Sequence, residues 1–270
     1  MLYVFLVLAL LASCALTWAA SGFATLHALW QVPVFFAGSF LALVLLFLLV
    51  VLISCLFVDP KKLLEKPSGY FRFLLNEFCR LALALGGVHV NVTGLEKVPR
   101  DGRFLLVSNH RFAFDPLVFY SSMPWADLAF LSKKENFSIF VVAQIMRKVL
   151  CLPVDRNNDR ESLKSILKAI QFIKDDKASI AVFPEGRTNR TADPLLPYRY
   201  GVFKIAQKAN VPIVVATIEG TERIAHNVPW RRTHVYLSIR EVIPAETVKA
   251  TKTNALTEGI RSKMIAELGK

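Results

Sequence analysis

A histidine and an aspartate are separated by four residues in segment 109–115, which reads N-H-R-F-A-F-D. On a regular helix, His110 and Asp115 would point about 140° apart, so they can meet only on a turn. Asp115 precedes Pro116, which favours Asp115 as a helix N-cap with His110 in the preceding loop. A carboxylate bound to one imidazole nitrogen leaves the other free to accept a proton. The pair is a candidate general base; the alternative is a capping aspartate beside an ordinary loop histidine.

A second candidate block lies at 183–190 and reads F-P-E-G-R-T-N-R. It follows an apolar run, and its proline and glycine favour a sharp turn that a strand cannot continue. Arg187 and Arg190 carry planar guanidinium groups that suit a phosphate. The alternative is a charged surface turn.

Two further apolar runs also end in charged residues. Segment 152–156 reads L-P-V-D-R and ends at Arg156, and Lys133, Lys134 and Glu135 follow another run. Each could be ordinary surface charge. However, four predicted strand ends that each deliver a base or a basic group could together line one pocket, because α/β sheets place ligands at the carboxyl ends of their strands.

Strands and helices alternate along the second part of the chain, which predicts an α/β domain whose mostly parallel sheet is flanked by helices. The period-two or continuous apolar segments predict strands, and the segments with apolar residues every three or four positions predict helices. The predicted strands are 88–92, 104–107, 128–131, 150–154, 179–183, 211–217 and 235–239, and the predicted helices are 116–121, 138–149, 159–174, 202–209 and 255–268.

The first part of the chain has a different composition. All 33 Lys and Arg and all 21 Asp and Glu lie after Val58, although the net charge is +12. The apolar runs at 2–20 and 33–58 are long enough to cross a bilayer, and Lys61 and Lys62 after the second run favour a cytoplasmic end. We therefore expect residues 1–58 to form a membrane hairpin with both ends in the cytoplasm. A weaker alternative is that the first run lies at the membrane surface.

Apolar residues at three- and four-residue steps predict an amphipathic helix over 70–85, with Arg72 and Arg80 on its polar side. This helix could lie on the membrane surface, pack on the core of the following domain, or do both. The predicted organisation is thus a membrane anchor at 1–58, a juxtamembrane helix at 59–86 and a catalytic domain at 87–270.

Several classes of function lack their sequence features. The chain has no G-x-S-x-G, no P-loop and no G-x-G-x-x-G, and its five histidines show no metal-ligand spacing. We therefore expect no metal and no resident cofactor. The basic residues are scattered, and nucleic-acid binding would leave the hydrophobic segment unexplained. A base without an evident nucleophile suits direct attack by a hydroxyl group of the substrate.

Together, the blocks resemble the lysophosphatidic acid acyltransferase family, the 1-acylglycerol-3-phosphate O-acyltransferases. The family pattern is an H-x4-D block, a block ending in D-R, an F-P-E-G block and a V-P-I-V strand. They correspond here to segments 109–115, 153–156, 183–187 and 211–214, in the family order. The resemblance covers about residues 88–220 and implies a glycerolphosphate-acyltransferase-like fold.

The resemblance also implies roles for individual residues. His110 would be the general base and Asp115 its orienting partner. Lys133, Arg156, Glu185, Gly186 and Arg187 would bind the acceptor around its phosphate. The family's third block usually reads F-P-E-G-T-R, whereas here Arg187 precedes Thr188, which puts the acceptor head group in doubt more than the reaction.

The predicted function is transfer of a fatty acyl group from an acyl thioester to the sn-2 hydroxyl of 1-acylglycerol-3-phosphate, making phosphatidic acid. The donor would be acyl-CoA or acyl carrier protein, acting as co-substrate. The expected partners are a lysophospholipid, this donor and the bilayer. We expect an integral membrane protein whose catalytic domain lies on the cytoplasmic face. The alternatives are an acyltransferase with a different lyso-lipid acceptor and a non-catalytic lipid-binding membrane protein.

Overall fold

The structure, a computed structural model, describes residues 1–23, 26–59 and 66–268. The chain divides into two compact units, a helical unit at Met1–Asp59 and an α/β unit at Pro60–Lys270. Lys61 and Lys62, on which the predicted orientation of the hairpin depends, lie outside the described residues.

The helical unit consists of two packed helices, α1 (Leu2–Ser21) and α2 (Ala28–Leu56). The rings of Phe5 and Phe47 meet edge to face, with centroids 6.2 Å apart. Both helices are long and apolar enough to cross a membrane. The structure therefore fits the predicted hairpin, although α2 begins five residues before Pro33 and includes that proline.

The α/β unit is built around one seven-stranded sheet with the order β1-β7-β6-β2-β5-β3-β4. All neighbouring strands are parallel except β6 and β7. The strands are β1 (Val88–Thr93), β2 (Leu105–Ser108), β3 (Leu128–Lys133), β4 (Leu152–Val154), β5 (Ser179–Val182), β6 (Ile213–Glu219) and β7 (Thr233–Ile243). The predicted α/β class with a mostly parallel sheet is confirmed.

Eight α-helices belong to this unit within the described residues. They are α3 (Gly69–Leu85), α4 (Asp115–Ser122), α5 (Phe140–Lys148), α6 (Asp159–Lys174), α7 (Lys204–Ala209), α8 (Ile224–Asn227), α9 (Ala245–Ala250) and α10 (Thr253–Leu268). The short helices α8 and α9 were not predicted, because four to six residues are too few to show a helical period. The central strands β2 and β5 are completely buried, which matches their continuous apolar sequence.

Helix α3 packs on the α/β unit, chiefly against α4, so the core-packing placement that the sequence left open is present in the structure. The prediction that Arg72 lies on the polar side of this helix is wrong. Arg72 is buried and donates hydrogen bonds to the backbone oxygens of Leu128 and Val149, and it forms an ion pair with Asp127 at 3.1 Å. These partners satisfy a charge that would otherwise be too costly to bury.

Candidate active site

The site begins where β2 ends, at Asn109 and His110. Asn109 is fully buried, and its side-chain amide both donates to the backbone oxygen of Ile218 and accepts from its backbone nitrogen, each at 2.8 Å. Because Ile218 lies on the neighbouring strand β6, these two bonds fix the backbone immediately before the histidine. Sequence reasoning included Asn109 in the motif without giving it this role.

His110 and Asp115 meet as the candidate general base requires. Nδ1 of His110 lies 2.8 Å from Oδ2 of Asp115, and the same oxygen accepts from the backbone nitrogens of Arg111 at 2.7 Å and Phe112 at 3.0 Å. The carboxylate is completely buried. The chain must therefore fold back in a tight turn around the aspartate, and the turn aligns the imidazole with it.

The prediction that Asp115 is an N-cap is wrong. Asp115 is the first residue of α4, the residue in the cap position is Phe114, and no side chain caps the helix. The carboxylate points back to the loop. Its Oδ2 contacts the loop residues named above, and its Oδ1 contacts a residue just beyond the end of β6. The partner at the end of β6 is Thr221, whose fully buried hydroxyl donates to Oδ1 at 2.5 Å.

The remaining nitrogen of His110 faces a cavity. With the buried carboxylate accepting from Nδ1–H, the lone pair is on Nε2, which is the proton-accepting arrangement. Nε2 lies 3.3 Å from the hydroxyl of Thr188, and the imidazole ring stacks on Phe183 with centroids 4.2 Å apart. Phe183 and Thr188 thus hold the ring, and a ligand in the cavity would take the place of the Thr188 hydroxyl at Nε2.

Glu185 supports the histidine loop from the end of β5. Its side chain is buried, with Oε1 accepting from the backbone nitrogen of His110 and Oε2 from that of Leu196, both at 2.8 Å. Burial raises the pKa of Glu185, and the two backbone donors oppose this shift. Glu185 is not among the residues that line the cavity. Its placement is therefore that of a residue that joins two loops, with a backbone nitrogen bonded to each of its oxygens.

The cavity beside Nε2 has a volume of about 410 Å³ and lies at the carboxyl ends of β2, β3, β4 and β5. Of the predicted site residues, His110, Lys133, Arg156 and Gly186 line it. Its apolar lining comes from Phe130, Leu131, Val154, Val182, Phe183 and Val202. All four predicted strand ends thus contribute to one cavity that combines cationic and apolar surface, although Glu185 and Arg187 of the fourth block do not line it.

Arg187 is placed differently from the other predicted residues. All three arginines near this turn are exposed, but Arg187 does not line the cavity, whereas Arg190 and Arg199 do. Arg199 follows β5 by a long loop, and its backbone nitrogen donates to the oxygen of Pro184 at 2.8 Å. The guanidinium group that reaches the cavity over the F-P-E-G turn therefore comes from Arg199.

The positive charges around the cavity favour the binding of an anion. Burial, followed by the nearby charges of Arg199 and Arg187, lowers the pKa of Arg156, while Glu135 acts in the opposite direction. Within the described ranges, no carboxylate lies within 4.0 Å of Arg156 or Arg199. Lys133 lies 3.5 Å from Glu135. Because like charges are held together without a paired carboxylate, an anionic group in this space would relieve their repulsion.

Comparisons with known proteins agree with this geometry. A family model described as Acyltransferase matches residues 89–219, which run from β1 to the end of β6. A probable 1-acyl-sn-glycerol-3-phosphate acyltransferase from Mycoplasma pneumoniae is 32% identical over 189 residues, covering 67% of this chain and 69% of that protein. The chain belongs to the 1-acyl-sn-glycerol-3-phosphate acyltransferase family. A Borreliella burgdorferi protein of the same name is 26% identical over 199 residues, with 73% of this chain and 78% of that protein covered.

A solved structure confirms the fold of this acyltransferase. The crystal structure of the 1-acyl-sn-glycerophosphate (LPA) acyltransferase PlsC from Thermotoga maritima superposes with a TM-score of 0.62 at 22% identity. The match covers 82% of this chain and 86% of that one. The glycerolphosphate-acyltransferase-like fold implied by the resemblance is therefore confirmed.

Sequence reasoning missed Thr221, Thr188 and Arg199 in this acyltransferase. Thr221 lies two residues beyond the region that the family model matches. A signal for it existed, because it follows a predicted strand and so had to lie at the edge of the sheet that carries His110. Arg199 gave no comparable signal, since it follows β5 by a loop whose path the sequence does not reveal.

Proposed function

We propose that the protein transfers a fatty acyl group from an acyl thioester to the sn-2 hydroxyl of 1-acylglycerol-3-phosphate, giving phosphatidic acid. The observation that carries this proposal is His110 at the wall of a cavity lined by arginines without a paired carboxylate, with its Nδ1 held by buried Asp115 and only the hydroxyl of Thr188 at its Nε2 among the described residues. The names of the relatives and the family membership of the chain support the same reaction.

In the proposed mechanism, the sn-2 oxygen attacks the carbonyl carbon of the thioester while its proton moves to Nε2 of His110. The resulting imidazolium is stabilised by Asp115. The tetrahedral intermediate then collapses with cleavage of the C–S bond, and the imidazolium returns the proton to the leaving thiolate. A general base of this type typically contributes about 10²–10⁴-fold to the rate, and holding both substrates in place supplies much of the rest.

The acceptor phosphate would bind Arg156 and Arg199, which line the cavity together with Lys133. Planar guanidinium groups bind phosphate oxygens in pairs, which also orients the glycerol so that its hydroxyl faces Nε2. The apolar part of the lining is suited to the first carbons of an acyl chain. The donor is a thioester of coenzyme A or of acyl carrier protein, and no observed contact favours one of them.

We further propose that α1 and α2 cross the bilayer as a hairpin and that the catalytic domain lies on the cytoplasmic face. Both helices are apolar along a length that a bilayer requires, and the lysines that follow α2 in the sequence favour a cytoplasmic position. This placement delivers a lipid acceptor to the cavity without passage through water.

A second candidate is transfer to a lyso-lipid with another head group. The observation in its favour is the exposed position of Arg187, because the family's usual third block places arginine one residue later. Purified full-length enzyme assayed against a panel of lyso-acceptors, with products identified by mass spectrometry, separates the two candidates. Lysophosphatidic acid should be the preferred acceptor.

His110→Ala tests the chemistry, and His89→Ala is its matched control because His89 is exposed on β1 and contacts only His234 among the rings. We expect His110→Ala to abolish transfer while His89→Ala retains it, with equal membrane attachment and equal thermal unfolding. Wild-type transfer by His110→Ala would refute the dyad, and no product from any thioester would favour the non-catalytic lipid-binding protein.

A further inference from the structure

The loop between α8 and β7 exposes an aromatic side chain to an unusual degree. This loop, residues 228–232, reads V-P-W-R-R. Trp230 is 87% exposed, more than any other large apolar side chain in the described part of the chain. Arg231 and Arg232 are exposed beside it. Exposed apolar side chains that occur together can mark a binding surface, and Val228 of the same loop is also exposed.

Hydrogen bonds hold the loop in the conformation that exposes Trp230. The backbone nitrogen of Arg231 donates to the oxygen of Asn227 at 2.7 Å, and the side chain of Asn227 donates to the hydroxyl of Thr233 at 2.9 Å. The backbone nitrogen of Thr233 in turn donates to the oxygen of Gly87 at 3.0 Å. The loop is thus fixed to both α8 and the end of α3, and these bonds present Trp230 outward.

The loop lies at the edge of the sheet that carries the catalytic site. Strand β7 is antiparallel to β6, with Tyr236 opposite Glu219, so the start of β7 lies at the carboxyl end of β6. Strand β6 is parallel to β2, with Ala216 opposite Ser108, two residues before His110. Trp230 and the general base therefore share one edge of the domain.

Other apolar side chains extend this surface. Val228, in the loop itself, is partly exposed and lies beside the end of α3, since a Cβ at Gly86 would be 3.6 Å from its Cγ2. Leu85, the last residue of α3, is half exposed. Exposed apolar side chains therefore lie both on the loop and at the end of the neighbouring helix.

The positive charge of Arg231 and Arg232 favours an anionic partner for the loop. Among the residues that the structure describes, no carboxylate lies within 4.0 Å of Arg231 or Arg232. Tryptophan is enriched at the interface of a bilayer, and arginine beside it is attracted by anionic head groups. The same chain carries two helices apolar enough to cross a membrane, so a lipid surface is the partner already implied by the sequence.

We propose that Trp230, Arg231 and Arg232 bind the surface of an anionic phospholipid bilayer, giving the catalytic domain a membrane contact of its own. Trp230 enters the interface, and the two arginines contact lipid phosphates. The contact orients the edge with His110 towards the lipid, from which the acceptor comes. The contact is a binding event and does not depend on the acyl transfer proposed above.

Tryptophan fluorescence of the full chain in vesicles tests the proposal. The chain has four tryptophans, so the signal of Trp230 is obtained by subtracting the fluorescence of Trp230→Phe from that of the wild type. The vesicles contain phosphatidylcholine brominated on its acyl chains, with or without phosphatidylglycerol. We expect the difference between wild type and Trp230→Phe to be quenched by bromine when phosphatidylglycerol is present. Arg231→Gln with Arg232→Gln should shift the docking equilibrium about fivefold per arginine and remove most of this quenching.

Trp125→Phe is the matched control. Trp125 lines a separate cavity with Phe104 and Asp176, at the amino ends of the strands, and Arg100 stacks over its ring at 3.6 Å. We expect the difference signal of Trp125 to be unaffected by bromine.

An unquenched Trp230 in both compositions overturns the proposal, as does quenching that survives both arginine substitutions. A blue-shifted but unquenched Trp230 would instead assign the loop to a protein partner or a second copy of this chain. Because quenching is measured without turnover, a protein that transfers no acyl group could still confirm the lipid contact. Conversely, an active enzyme with an unquenched Trp230 would refute the contact alone.

Discussion

Gly186 lies directly beneath the side chain of Arg199. A Cβ at Gly186 would be 2.7 Å from Nε of Arg199 and 3.1 Å from its Cδ, so the arginine side chain would have to move to make room for it. The glycine also has a φ of +69°, a conformation that side chains disfavour. The F-P-E-G turn therefore does two things in this chain: it positions Glu185 under the histidine loop and leaves room for a guanidinium group above it.

Arg199→Ala should weaken acceptor binding, because Arg199 is the guanidinium over the turn that lines the cavity. A hydrogen bond to a charged group contributes about 1.5–3 kcal/mol, so we expect KM for lysophosphatidic acid to rise about 10- to 100-fold with a smaller change in kcat. Steady-state kinetics measure this effect. Arg187→Ala is the comparison: Arg187 does not line the cavity and acts on Arg156 only through its charge, so we expect a change of less than about threefold. A larger loss in Arg187→Ala than in Arg199→Ala would contradict this assignment.

Gly186→Ala should impair the same step through Arg199. The added methyl group displaces the guanidinium and places alanine in a left-handed conformation, which destabilises the fold by about 1–2 kcal/mol. We expect KM for the acceptor to rise and the melting temperature to fall. The decisive comparison is a double-mutant cycle. If the methyl group acts through Arg199, the effect of Gly186→Ala on KM disappears in the Arg199→Ala background, whereas its effect on stability remains.

Thr221→Val should slow the reaction by removing the hydrogen bond to Oδ1 of Asp115, the oxygen that does not contact His110. Valine keeps the shape of threonine but removes the hydrogen bond to Oδ1, and the buried oxygen is left without this donor. We expect kcat to fall about 10- to 100-fold with little change in KM, because the carboxylate no longer holds the imidazole in one orientation. Thr221→Ser restores a hydroxyl and should keep kcat within about threefold of wild type. Equal losses in both variants would show that the hydroxyl is not what matters.

The sequence predicted the fold well where the periodicity was clear, and less well where packing decides. Helix α6 has the predicted bounds, yet Leu163 and Leu167 from its apolar stripe are exposed, while Ser165 and Ala169 are buried. Small residues let the helix approach the sheet closely. A pattern of apolar residues alone does not predict which face of the helix packs in this way. Strand β7 was predicted at about half its length, because burial alternates only over 233–239, whereas residues 240–243 are all half-buried and show no period of two.

The candidate site was predictable where its residues are local. His110 and Asp115 are five residues apart, and the proline after the aspartate indicated that a turn, and not a continuous helix, joins them. Thr221 is 106 residues from Asp115, so their contact depends on the neighbouring positions of β2 and β6. That Arg199 takes the place expected for Arg187 depends on the path of a loop, which composition and periodicity do not determine.

Thr188→Ala distinguishes direct transfer from transfer through the enzyme. The hydroxyl of Thr188 lies 3.3 Å from Nε2 of His110, so a threonine, an imidazole and a carboxylate stand in the order of a nucleophile, its base and the orienting group. In the proposed direct attack, the acceptor hydroxyl displaces Thr188 from Nε2, and Thr188→Ala should keep kcat within about tenfold of wild type. A covalent route needs the Thr188 oxygen to carry the acyl group. It would make Thr188→Ala as inactive as His110→Ala and would produce an acyl-enzyme, detectable by intact-protein mass spectrometry when the donor is supplied without an acceptor. We expect no such adduct, since His110 itself lines the cavity and an acceptor hydroxyl bound there could contact the base directly.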